Sequence, residues 1–132
     1  MKTLLTGLLL TLWSLASVVG AQDADAFYKG VQAYRAHDYV LAASWFEQAA
    51  EQGDSEAQFL LGRMRYDGNS LATDYVTAYQ WFAIAAESGQ AVASRYRDGL
   101  AGRMTEAQVI EGASRAAAWL SQHPLAQRPK QD

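Results

Sequence analysis

The sequence predicts an all-α protein, an α/α solenoid of antiparallel helix pairs with about six helices following a leader segment. Two observations carry this. Residues 38–57 recur 36 positions later with 11 identities in 20 aligned positions, and a period in the thirties marks stacked helix pairs. The apolar residues between the turns fall at helical spacing, and no segment alternates as a strand would.

The N-terminus reads as a secretory signal peptide over residues 1–21. Lys2 supplies the positive charge, Leu4 to Val19 is almost wholly apolar, and Val19-Gly20-Ala21 offers small side chains for cleavage before Gln22. The apolar run falls short of the roughly 20 residues that a membrane-spanning helix requires. Cleavage after Ala21 would leave 111 of the 132 residues, enough for one domain with one core. That domain carries ten basic against 14 acidic side chains and no cysteine. A mildly acidic chain is a poor match for nucleic acid or anionic lipid. Without disulfides it must be held by packing alone, in a compartment that would permit them. A bacterial periplasm is the expected location, with no stable membrane insertion once the leader is removed.

The repeat domain is expected over residues 22–122. Its first helix runs from Asp25 to Ala36, with Phe27, Gly30, Val31 and Tyr34 at helical spacing. The second, Tyr39 to Gln52, puts Ala42, Trp45, Phe46, Ala49 and Ala50 on one face, and Gly53 follows where a positive φ is needed. The third, Ser55 to Tyr66, carries Phe59, Leu61 and Met64 and ends at the turn residues Asp67-Gly68-Asn69-Ser70. Asp74 caps the fourth, Tyr75 to Glu87, which copies the second and ends at Gly89. A fifth helix spans about 90–100. Thr105 with Gln108 gives the capping-box signature of a sixth, ending near Gln122. Residues 90–122 read as a polar C-terminal cap and 123–132 as a polar tail. The first helix matches the third at an offset of 32, through Phe27/Phe59, Gly30/Gly62 and Tyr34/Tyr66. Glycine inside a helix costs about 0.5–1 kcal/mol against alanine, so Gly62 predicts a close helix crossing. Trp45 and Trp81, repeated at helical spacing, are both expected in the core.

The run Ala57-Gln58-Phe59-Leu60-Leu61-Gly62-Arg63-Met64, followed by Tyr66-Asp67-Gly68, Asp74-Tyr75, Ala78, Trp81-Phe82, Ala85-Ala86-Glu87 and Gly89, resembles a Sel-one-like repeat of the tetratricopeptide superfamily. The match is specific over 54–89, partial over 25–53 and fades after Ala93. It implies an adaptor for protein complexes, often exported in bacteria, with no catalytic residues and no cofactor. Arg65 stands where the family usually has tyrosine, and Ser70 where it usually has a second glycine. Arg65 either turns outward or adds a charge to the groove.

No chemistry-bearing constellation emerges. His37 and His123 are far apart, with no set of about four ligands at the spacing zinc needs. There is no His-Glu-x-x-His and no glycine-rich phosphate loop. The spacing of Asp67 and Asp74 does not fit a calcium loop. No catalytic, metal or cofactor site is therefore assigned. Arg63, Arg65, Arg95 and Arg97 read first as a solvated face paired with Glu56, Asp67 and Asp98. The alternative is a basic stripe receiving a partner's carboxylates. On that alternative Gln58, Arg63, Arg65, Tyr66 and Arg95 form the partner-binding groove. The leading expectation is a non-catalytic scaffold for a protein partner of unspecified identity. A second is a module for envelope polysaccharide or peptidoglycan, using Tyr28, Tyr34, Tyr66 and Tyr96. Self-association through an uncovered apolar edge at the first helix is a further possibility.

Overall fold

The computed structural model describes residues 25–68 and 71–124, and among them the chain forms six α-helices and no strand. Helix α1 covers 25–35, α2 Tyr39–Glu51, α3 Ser55–Asp67, α4 Tyr75–Glu87, α5 Ala91–Ala101 and α6 Glu106–Gln122. The predicted leader, Ser70 and the chain beyond Pro124 lie outside the described residues.

Each boundary has a local cause. Asp38, Asp54 and Asp74 cap α2, α3 and α4 by accepting from the backbone N–H groups of Leu41, Ala57 and Thr77. Gly53 and Gly89 take positive φ, at 92° and 99°. In each case the following N–H bonds back five residues, Asp54 to the Ala49 carbonyl and Gln90 to the Ala85 carbonyl. That is the six-to-one closure that reverses a chain after a helix. The tight turn after α1 uses the same closure, Asp38 to the Ala33 carbonyl, but with His37 in the left-handed position at φ 61°. The longer turn after α3 uses Gly68 at φ 67° and is closed by the Asp74 N–H on the Arg65 carbonyl. Thr105 and Gln108 form the complete capping box at the start of α6.

Helix α4 is the hub, packed by α3, α5 and α6. The core divides into two clusters. One joins α1, α2 and α3 through Ala33, Phe46, Ala50, Leu61 and Met64 and extends to Trp81 and Trp119; the other joins α3, α4 and α5 through Phe59, Phe82, Ala93 and Leu100. Small residues set the approach. A Cβ on Gly62 would lie 2.6 Å from two ring carbons of Phe82, so the expected close crossing is present.

One expectation about packing needs correction. Trp81 is buried beneath α6, its ring 6.1 Å from that of Trp119, whereas its repeat partner Trp45 is only partly buried, with Lys29 Nζ 4.7 Å from its ring centroid. The reason is positional, because α6 covers the second copy. The sixth helix also does more than cap the array. It packs along α4 and reaches back to the first unit, where the Trp119 indole N–H donates to Glu51 Oε1 at 3.3 Å. His123, assigned to the polar tail, stacks on Trp119 at 3.8 Å and sets Nε2 2.9 Å from Glu51 Oε2.

Candidate functional site

The five predicted groove residues do not share one surface. Gln58 is fully buried, and its side-chain amide donates to the Ala50 carbonyl at 3.2 Å, tying α3 to the C-terminal end of α2. It cannot touch a partner from there. Arg63 and Arg65 are two residues apart on α3, about 200° around the helix, and they diverge. Arg65 turns to the α3–α4 loop, donating to the Ala72 carbonyl at 3.4 Å, and lines a depression with Asp74, Tyr75 and Gln108. Arg63 turns to the α3/α5 side, where its guanidinium lies 5.8 Å from the centroid of the Tyr96 ring and pairs with Asp67 at 3.3 Å. The single basic stripe is therefore split by helix geometry.

Tyr66 and Arg95 are brought together. They line an open depression on the α3/α5 side with Tyr96, Gly99, Leu100 and Arg103. The Tyr66 and Tyr96 rings meet edge to face, 6.4 Å apart at 86°. Tyr96 in turn packs edge-on against Phe59 at 5.1 Å, which roots the depression in the second core cluster. Arg103 stands 5.8 Å from the centroid of Tyr66, as Arg63 does from that of Tyr96. Arginine is favoured over aromatic faces because the ring quadrupole attracts the cation. Arg103 escaped the sequence reading because it lies in the turn after α5, outside the repeat.

Charge in the region is partly committed. Arg97 pairs with Asp98 at 2.9 Å, as the solvated-face reading expects. Glu56, expected to pair with an arginine, instead accepts from the Gln90 amide at 2.6 Å. Arg95 and Arg103 form no ion pair among the described residues.

The second depression, at the start of α4, contains a strong local cap. Partial burial works against ionisation of Asp74. The Thr77 backbone N–H at 3.0 Å and hydroxyl at 2.7 Å, with Arg65 and Arg115 nearby, outweigh it and hold the carboxyl below the usual carboxylate range. Since the carboxylate is occupied by its own helix, this is a structural device. Among the described residues no cluster of three or more His, Asp or Glu side chains is placed to hold a metal ion, and no helix is long and apolar enough to cross a membrane. On the first unit, Tyr28, Tyr34, Val40 and Leu41 are exposed.

Paired helices, a glycine crossing repeated in each unit and an aromatic-arginine depression between successive inner helices define a helix-pair repeat protein of the tetratricopeptide class. The Sel1 repeat pattern matches residues 20–54 and 55–90, which is 71 of the 132 residues, and the chain belongs to the Sel1 repeat family. The first unit is thus a Sel1 repeat in its own right, where the residues had shown only a partial resemblance. The fold is similar to the crystal structure of c5321, a protective antigen present in uropathogenic Escherichia coli strains and displaying an SLR fold. The TM-score is 0.74 at 25% identity, covering 87% of this chain and 26% of that one. The chain therefore spans about a quarter of the length of that protein. No curated protein sequence matches it significantly. Folds of this family generally serve as protein–protein interaction scaffolds and are usually non-catalytic.

Proposed function

We propose that the protein is an exported, non-catalytic adaptor that binds another protein across its α3/α5 face. One observation carries the reading. Helix α6 packs along α4, while the α3/α5 side presents Arg95 and Arg103, which form no ion pair among the described residues, beside the half-buried rings of Tyr66 and Tyr96. Repeat proteins of this kind bind partners over such extended surfaces. The export part of the proposal is supported by Lys2, the apolar run Leu4 to Val19 and the small residues before Gln22, and a bacterial periplasm is the compartment we propose.

Envelope glycan binding has less support. Sugars dock on open aromatic faces; on the α3/α5 side guanidinium groups stand over Tyr66 and Tyr96, which leaves only Tyr28 and Tyr34, exposed on the first unit, for that role. The test is affinity capture of the tagged protein, cross-linked in its own compartment and analysed by mass spectrometry. The reading expects a reproducible protein other than the chain itself, recovered from the envelope fraction. Retention of cell-wall fragments without any protein would overturn it.

A further inference from the structure

The α3/α5 depression carries a more specific assignment, which rests on the protein-binding reading above. We propose that it anchors an acidic segment of the partner, with carboxylates received by Arg95 and Arg103 above a floor formed by Tyr66 and Tyr96.

Four features lead there. Arg95 and Arg103 line the same depression, and neither has a carboxylate partner among the described residues. The acidic groups on the same helices are already engaged: Asp67 by Arg63, Asp98 by Arg97 and Glu56 by Gln90. With Arg65 turned to the α3–α4 loop, four arginines (Arg63, Arg95, Arg97 and Arg103) stand against three acidic side chains (Glu56, Asp67 and Asp98) on α3, α5 and the turn after it, a local excess of positive charge on a chain whose formal net charge is −3. Arg103 is also held over the Tyr66 ring, which limits the rotamer freedom that a flexible cation loses on binding. A guanidinium stacked in this way keeps its N–H edge available for a two-point hydrogen bond to a carboxylate. Finally, Gly99 lines the depression, and a Cβ built there would meet no neighbour within 4 Å. A peptide backbone can approach α5 at that point.

Tyrosine edges and arginine forks together select an extended acidic peptide over a bare anion. The rings supply apolar contact along the segment, and the arginines fix its carboxylates. The stacked guanidiniums also argue against a sugar ring, which would have to displace them to reach the tyrosine faces.

The experiment is selection of a random dodecapeptide display library on the full chain and, in parallel, on an R95E/R103E variant. Both positions are exposed, and circular dichroism verifies that the variant retains its helices. Enriched peptides are resynthesised with each Asp or Glu replaced by its amide. The proposal expects carboxylate-bearing peptides that lose roughly tenfold or more in affinity on amide replacement, on Arg95→Ala and on Arg103→Ala. Arg115→Ala, on α6, should leave affinity unchanged. Peptides that bind equally as amides, or equally to R95E/R103E, would overturn the acidic anchor while leaving the adaptor reading intact. If no peptide is enriched, the anchor and the peptide-binding reading both fail; binding of soluble peptidoglycan fragments would then assign the face to glycan.

Discussion

Gly62 lies so close to Phe82 that a methyl group on it would stand 2.6 Å from two ring carbons, and Gly30 stands in the same relation to Phe46. The two units thus repeat a contact as well as a sequence. Each inner helix meets its outer helix with a glycine against a phenylalanine face. Both rings are almost completely buried, so neither can swing aside. Gly62→Ala should therefore destabilise the domain by about 1–3 kcal/mol, outweighing alanine's better helix propensity. Urea denaturation checks this. Combining it with Phe82→Leu should cost less than the two changes summed, because the smaller side chain relieves the clash.

The two tryptophans should differ. Trp81→Ala opens a cavity beneath α6 and should cost about 3–5 kcal/mol. Trp45 keeps one side in solvent, so Trp45→Ala should cost about 1–2 kcal/mol, closer to partial loss of buried apolar area. Equal losses in thermal denaturation would contradict the placement of α6 over Trp81 but not over Trp45.

Asp74 gives a pH signature. Its carboxyl is held below its ordinary value of 3.8, so the stabilisation is fully present above that value and is lost as pH falls through the lower folded one. Asp74→Ala should cost about 1 kcal/mol at pH 7, a usual loss for an N-cap. The gap between wild type and variant should narrow in denaturation curves taken at successively lower pH below 3.8. A gap independent of acid would show that the carboxylate is not the source.

The end of α6 should be separable from the rest. His123→Ala removes the stack on Trp119 and the contact with Glu51, leaving the α4 contacts of Gly112 and Trp119 in place. Backbone amides of the last turn of α6 should exchange faster by hydrogen–deuterium exchange, with those of α4 unchanged. Acceleration through α4 would mean that His123 supports the core.

Much of this was legible in the chain, and the failures have physical reasons. The repeat offset located every helix from α1 to α4, and the Thr105/Gln108 pair located α6. The offset of 32 also held information that residue type obscured. It aligns Gln58 with Ala26 and Arg65 with Ala33, both of which are buried in the first unit. Periodicity therefore placed Gln58 and Arg65 away from the α3/α5 surface, although polar letters suggested a groove. Trp45 and Trp81 could not be told apart, because identical positions in a repeat acquire different neighbours only from the array's ends. Arg103 lay beyond the repeat, and its approach to Tyr66 depends on how the turn after α5 folds back.

On the proposed function the α3/α5 face meets a protein partner and the α6 face does not. Site-specific photo-cross-linking in the native compartment tests it most directly, with a photoreactive residue placed at Val92 or Gly99 on α5, or at Ser114 on α6. Adducts to one and the same protein from positions 92 and 99, absent from 114 and lost in R95E/R103E, are the predicted result. Adducts from position 114 alone, or none from α5, would contradict it.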